Sequence, residues 1–349
     1  MTFADRLVLD WYAPRLTPLT AALAPIAPLF RAVTAARRSL YRAGVLGRDR
    51  LPVPVVVIGN ITVGGSGKTP LSIAIAGALA ARGWRPGIVS RGYGADSPSP
   101  RAVGVDAFPD AVGDEPLLLA RTGFPVWIGG DRPRAARGLL AAHPDCDVIV
   151  TDDGLQHYAL ERDVELAVVD ASRGLGNGLF LPAGPLREPR SRLREADAVV
   201  LLGGTVTGAL GREFAMTLVG DRFVRVNAPG ESVDAEAFRK AGVHALAGIG
   251  NPQRFFDHLD ALGIAATCHA FPDHHRFTRG DLDIQGATAI LMTEKDAVKC
   301  TAFADDRCWA LPVRAVVDPM LFAFVEEKLR GSQAARNSGV PGDQGPADI

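Results

Sequence analysis

The sequence is short of cysteine, of net charge and of uninterrupted apolar length. Its 349 residues hold four cysteines, Cys146, Cys268, Cys300 and Cys308, with no CxxC pair and no metal-like spacing to histidine. That excludes a disulfide scaffold or a zinc module, and the thiols are expected to be core or incidental ones in a reducing compartment. The formal net charge of -1 removes any whole-chain case for nucleic acid as a partner. The start lacks the ordered basic, apolar and small-residue regions of a secretory signal. One apolar stretch, "LTPLTAALAPIAPLF" at residues 16–30, is interrupted by Pro18, Pro25 and Pro28. Interior prolines remove hydrogen bonds that lipid cannot replace, so a membrane-spanning helix is not expected there.

What is present is unevenly distributed. The first fifty residues contain eight arginines, no lysine and three aspartates, a surplus of five positive charges on an otherwise mildly acidic chain. Residues 30–42, "FRAVTAARRSLYR", have helical period. Phe30, Val33, Leu40 and Tyr41 lie on one side and Arg31, Arg38 and Arg42 on another, with Arg37 intruding on the apolar side. Residues 1–50 are therefore expected to form amphipathic helices, lying either in a membrane interface or against the protein body.

From Val53 onward, short β-branched runs alternate with helical stretches. This pattern predicts an α/β fold with a parallel sheet flanked by helices over residues 51–212. Near "FAMTLVGDRFVRVN" the rhythm changes to two strands about Gly220–Asp221, read as a β-hairpin linker. It opens a second, smaller α/β domain over residues 213–330. The polar, Gly- and Pro-containing residues 331–349 are expected to be a disordered tail.

The densest signal is "GNITVGGSGKTP" at residues 59–70, directly after the strand "VPVVVI". A glycine-rich turn between strand and helix gathers backbone N–H groups around one point, and the helix N-terminus adds positive potential. Thr62, Val63, Gly64, Gly65, Ser66, Gly67, Lys68 and Thr69 thus predict a nucleotide phosphate loop, with Lys68 for the β- and γ-phosphates and the Thr69 hydroxyl for Mg²⁺. The pattern departs from the usual P-loop in having Thr62 where a glycine is common. An acidic strand end should accompany such a loop, and "VIVTDDG" supplies Asp152 and Asp153. Adjacent side chains on extended backbone face opposite ways, so the two are expected to differ in role. "TEKD" at residues 293–296 lacks the residue that a guanine-reading motif places between lysine and aspartate, which favours ATP over GTP.

Taken together, "NITVGGSGKTP", "VSRGYG", "VGDEPLLLA", "TDDGLQH", "LPAGPLREP", "FPDHH" and "MTEKDAVK", in this order from Asn60 to Lys299, resemble the tetraacyldisaccharide 4'-kinase family. The resemblance implies a P-loop NTPase-like fold with a second domain. It implies ATP-dependent phosphorylation of the 4'-hydroxyl of tetraacyldisaccharide 1-phosphate to give lipid IVA, with ATP and Mg²⁺ as cofactors. It also implies a peripheral, monotopic enzyme on the cytoplasmic face of the bacterial inner membrane, whose partners are the lipid substrate and the membrane surface; a monomer is expected. Carried over by motif, Asp114 is the catalytic base and His274 its pairing histidine, with Lys68 and Arg187 completing the catalytic set. Glu115 joins Thr69, Asp152 and Asp153 near the metal, and Gln156 joins Arg187 at the substrate. Ser66 and Phe277 are departures, where threonine and tyrosine are common in the family. Read from residues alone, Asp114 is better explained as a helix N-cap, and only the resemblance favours catalysis; one of Arg187, Arg190, Arg192 and Arg194 could meet the substrate's 1-phosphate.

Three rival readings are weaker. A metallochaperone-type GTPase would need a Cys/His cluster and a guanine motif. A soluble small-molecule kinase leaves residues 1–50 unexplained. A scaffold with a dead P-loop would not keep Lys68, Thr69, Asp114 and Asp153.

Overall fold

Val55–Gly59, here β1, is buried at all five positions, and the first of two sheets is built outward from it. The computed structural model describes residues 3–95, 99–206, 208 and 211–337. The strands that follow are β2 (Pro86–Ser90), β3 (Arg101–Ala102), β4 (Val126–Ile128), β5 (Val148–Thr151), β6 (Val164–Asp170), β7 (Ala198–Leu202) and β8 (Glu213–Val219). Next come β9 (Arg222–Arg225), β10 (Ser232–Asp234), β11 (Val243–Ala247), β12 (Thr267–Ala270), β13 (Ala289–Thr293), β14 (Cys308–Leu311) and β15 (Arg314–Val317).

The first sheet has the order β15-β8-β7-β6-β1-β5-β2-β4-β3. It is parallel from β8 to β4, and β15 and β3 run antiparallel at its edges. Val56 of β1 pairs with Val150 on one side and Val164 on the other. The chain winds away from β1 in both directions, and such a switch point opens a crevice beyond the carboxyl ends of the strands.

Eleven helices are described: α1 (Phe3–Trp11), α2 (Pro18–Leu23), α3 (Ala27–Arg42), α4 (Lys68–Ala80), α5 (Pro109–Val112), α6 (Asp114–Ala120), α7 (Arg132–Ala142), α8 (Pro252–Ala261), α9 (Arg279–Leu282), α10 (Glu294–Cys300) and α11 (Pro319–Asn337). Leu71 and Ile75 of α4, Leu117 of α6 and Leu321, Val325 and Leu329 of α11 fill one face of the first sheet. Ala135, Ala136 and Leu139 of α7 fill the other. This is the predicted parallel sheet with helices on both faces, and its β-branched strands are buried on both sides because both faces are covered. The second sheet, β10-β9-β14-β13-β11-β12, packs α8 through Phe255, Phe256 and Leu259 and, on its other face, Leu282 of α9 and Ala297 of α10.

The linker differs from the predicted hairpin. β8 and β9 do not pair with each other: β8 pairs with β7 and β15 in the first sheet, and β9 with β14 and β10 in the second. The connection is therefore a two-stranded ribbon, outgoing through β8–β9 and returning through β14–β15. Gly220 looks like a hairpin turn in sequence, but it serves a close approach, since a Cβ there would lie 2.2 Å from the Pro312 carbonyl oxygen. Gly220→Ala is expected to lower stability by about 1–3 kcal/mol through this overlap. A lower urea midpoint with unchanged slope would register it.

Two boundaries shift accordingly. The first body takes in β8, β15 and α11, beyond the expected limit at residue 212. α11 runs to Asn337, so residues 331–337, expected to be disordered, are helical; the rest of the expected tail lies outside the described residues.

The N-terminal prolines do not break the helix they interrupt. Pro18, Pro25 and Pro28 each sit in the first turn of a helical segment, where no N–H partner is needed. Residues Pro18–Arg42 form one helical run, long and apolar enough by length and composition to cross a membrane. The proline argument against a span thus does not hold. The run lies along the first body: Arg38 is turned against Glu195, Arg42 reaches the same carboxylate at 2.6 Å, and Arg31 stacks on Phe180. Ile26, Leu29, Val33 and Leu40 face outward and are exposed.

Candidate active site

The glycine-rich loop joins β1 to α4 at the switch point. Gly64 and Gly67 adopt φ of 104° and 85°, left-handed values that suit glycine. Gly67 occupies the N-cap of α4, where a Cβ would also meet Leu202 Cδ2 at 2.7 Å. The loop's flank is stitched down by a bridge between Thr62 and Leu186 and by Val63 N–H donating to the Pro185 carbonyl at 2.9 Å. Tyr12 adds a bond from the N-terminal segment to the Val63 carbonyl at 3.1 Å. Ser66 is buried, and so is Lys68, whose Nζ lies 3.5 Å from the Gly64 carbonyl and 3.7 Å from Asp153 Oδ1. The result is a glycine-lined turn at a helix N-terminus with one cation folded over it, a geometry suited to an anion.

Asp152 and Asp153 follow β5 and diverge. Asp152 is fully buried; its carboxylate accepts from Thr69 Oγ1 and from Ser72 Oγ, each at 2.9 Å. Burial, reinforced by Glu115, pushes its pKa up to about 6. Asp153 has φ 50° and turns the other way, to Lys68 and to Arg187 Nη1 at 3.3 Å. Burial would raise its pKa, but Lys68, Arg187 and Arg132 hold it well below the usual carboxylate range. Gln156 lies beside them, donating to the Asn60 carbonyl at 2.9 Å and to Glu188 at 2.8 Å, and accepting from Arg187 at 3.3 Å.

The second body supplies the opposite wall. His274, at φ 60°, places Nδ1 3.1 Å from Asp114 Oδ2. Asp114 is buried at the start of α6, whose N-cap is Gly113. The N-cap position thus falls to Gly113, and Asp114 is the first helical residue; its Oδ1 accepts from the Glu115 N–H at 2.9 Å while Oδ2 meets His274. Burial raises its pKa, but the bond from His274 and the charges of Lys295 and Lys299 outweigh this and hold it well below the usual range. Tyr93 packs its ring 4.6 Å from that of His274. The two bodies also meet at the loop itself, since a Cβ on Gly250 would lie 2.3 Å from Gly65 N.

The structure thus brings together Lys68, Asp153, Arg187 and Gln156, joins Thr69 to Asp152, and pairs Asp114 with His274. It does not bring the four expected metal ligands to one point. Glu115 is bonded to Lys295 at 2.9 Å and Asp153 to Lys68 and Arg187, because each carboxylate lies beside its own cation. Arg192 is removed from the 1-phosphate candidates, being buried between Glu165 and Glu188. Phe277 is buried under Lys299, so a phenol at that position would face the core. Sequence reasoning missed Glu188, which bonds Gln156 and Tyr158, and Arg132, which is buried and bonds the Gly129 carbonyl at 2.7 Å. It also missed Lys295, whose segment reads in sequence as an incomplete guanine motif and as part of the family resemblance, with no role for the lysine itself.

Comparison with known proteins gives one answer. The model of the family described as Tetraacyldisaccharide-1-P 4'-kinase matches residues 19–330. A protein named Tetraacyldisaccharide 4'-kinase from Dechloromonas aromatica is 51% identical over 317 residues, covering 90% of this chain and 93% of its own. One of the same name from Azoarcus sp. is 53% identical over 317 residues, covering 90% and 93%. Among solved structures, LpxK from Aquifex aeolicus in complex with ATP superposes with a TM-score of 0.74 at 29% identity, covering 89% of this chain and 99% of that one.

Proposed function

Because the chain belongs to the tetraacyldisaccharide-1-P 4'-kinase family, we infer that the loop, the paired carboxylates and His274 form a single phosphoryl-transfer site. The protein is an ATP-dependent kinase that phosphorylates the 4'-hydroxyl of tetraacyldisaccharide 1-phosphate, forming lipid IVA in lipid A biosynthesis. The observation that carries the residue assignment is the Asp114–His274 bond, made between two bodies at the mouth of a phosphate loop. Phosphoryl transfer to an alcohol needs positioning, charge neutralisation and a proton acceptor. The amides of residues 64–69 and Lys68 hold the phosphates. Asp114 takes the proton from the sugar hydroxyl, and His274 orients that carboxylate and carries the proton onward. Arg187 and Gln156, bonded to each other, contact the acceptor side.

Thr69 and Asp152 would hold Mg²⁺. Their oxygens lie 2.9 Å apart and both are hard donors. Among the described residues no three His, Cys, Asp or Glu side chains gather as a metal cage, which suits an ion that takes its other ligands from phosphate and water. When bound, Mg²⁺ neutralises charge on the β- and γ-phosphates.

The acceptor's acyl chains keep it in the bilayer, so the protein must approach the membrane. The exposed stripe Ile26, Leu29, Val33 and Leu40 supports docking of residues 1–50 on a lipid surface; placement on the cytoplasmic leaflet and a monomeric state belong to the same proposal. The decisive assay supplies labelled ATP and tetraacyldisaccharide 1-phosphate in mixed micelles. Transfer of label to the lipid is expected, with a loss of about 100-fold or more when EDTA removes the metal and recovery when Mg²⁺ is restored. Absence of transfer with Mg²⁺ present would overturn the function; transfer in EDTA would overturn the metal.

A further inference from the structure

Residues 293–299, "TEKDAVK", do not read guanine, and their placement gives them other work. Asp296 is fully buried and accepts from Gly248 N–H at 2.9 Å, Thr293 Oγ1 at 2.7 Å and Lys299 Nζ at 2.7 Å. It ties the start of α10 into the second body. Lys295, next to it on the helix, reaches instead toward the first body. Its Nζ donates to Glu115 Oε1 at 2.9 Å and to Asp273 Oδ1 at 3.3 Å, with the side chain 14% exposed. Glu115 belongs to α6 in the first body, and Asp273 to the loop after β12 in the second.

We propose that Lys295 is a positioning residue, an ammonium latch that holds the second body against the first and so fixes the His274 ring on Asp114. Glu115 directly follows Asp114 and Asp273 directly precedes His274, so the latch runs parallel to the Asp114–His274 bond, one residue away on each side. A single hydrogen bond leaves a ring free to swing; two parallel ties between the same loops restrict it. Lys299 does not duplicate this. It lies 3.7 Å from Asp114 Oδ2, but its closer contacts, to Asp296 and to the His275 carbonyl at 3.2 Å, lie within its own body. Burial would lower the Lys295 pKa; Glu115, Asp273 and Asp114 overcome it and keep the group charged. The catalytic part of this inference rests on reading Asp114 and His274 as the proton-handling pair, whereas the latch itself does not.

Kinetics and distance measurements test the two parts separately. Lys295→Met is expected to lower kcat about 10- to 100-fold while KM for ATP stays within about twofold, because the loss is one of alignment. Lys295→Arg keeps the charge and should recover most of the rate. In a His274→Ala background Lys295→Met should cost less than about threefold more, since both act through the same pair. Exposed Cys268 and an introduced Ala81→Cys, one on each body, carry spin labels. The distance distribution of the nucleotide-free enzyme should be narrow, and broad in Lys295→Met. An unchanged distribution overturns the latch whatever the rates. A broadened distribution with equal rate losses in both backgrounds supports the latch and overturns its action through His274. Lys295→Gln, which keeps a polar head, replaces the methionine variant if that one fails to fold.

Discussion

Replacing Lys68 with alanine is expected to lower kcat for phosphoryl transfer by about 10²–10³-fold, the scale of losing one preorganised charge in a water-poor site. Lys68 is buried at the first position of α4, with its ammonium between the Gly64 carbonyl and Asp153. That ammonium also counters the charges of Asp152 and Asp153. Its removal therefore withdraws the cation from the phosphates and leaves two carboxylates repelling them. Lys68→Arg should recover little, because a planar fork does not occupy the place of a point charge. Initial rates against ATP concentration measure both effects. A rate within tenfold of wild type would remove Lys68 from the phosphate site.

Asp114→Asn should be as damaging, with kcat lower by about 10²–10⁴-fold, the usual contribution of a positioned base. The amide keeps the carboxylate's size and can still accept from His274 Nδ1 at the 3.1 Å position. The substitution therefore separates chemistry from geometry: KM for ATP and for the lipid should hold while kcat falls. If the variant kept more than a tenth of the wild-type rate, Asp114 would be a spacer and the proton acceptor would lie elsewhere.

The strand–glycine loop–helix unit around Lys68 was legible because its signals are local. Strand, glycines, Lys68, Thr69 and helix are contiguous, and the same holds for Asp152 and Asp153 at the end of β5. Contacts between distant residues were not. Lys295 meets Glu115 across 180 positions, and nothing in "TEKD" announces that partner. Gly220–Asp221 misled for a related reason. A glycine between two β-rich runs has the same local signature whether the strands fold back on each other or continue into different sheets, and only the pairing of β15 with β8 decides. Asp114 and His274 could be paired beforehand only through family likeness, since spacing cannot join two bodies. The prolines of the N-terminal run were misjudged because their position within each helical turn, rather than their number, determines whether they break it.

The returning ribbon bears on how the chain is made. β8 lacks its outer neighbour until β15 emerges from the ribosome, and the apolar face of α4 lacks its cover until α11 follows. The nucleotide-binding body is thus interrupted during synthesis by the whole of the inserted domain, whose own strands β9 to β14 are contiguous and complete first. The first body, already synthesised through β8, must wait, greasy and half-sheathed, for the segment from Arg314 onward to be translated.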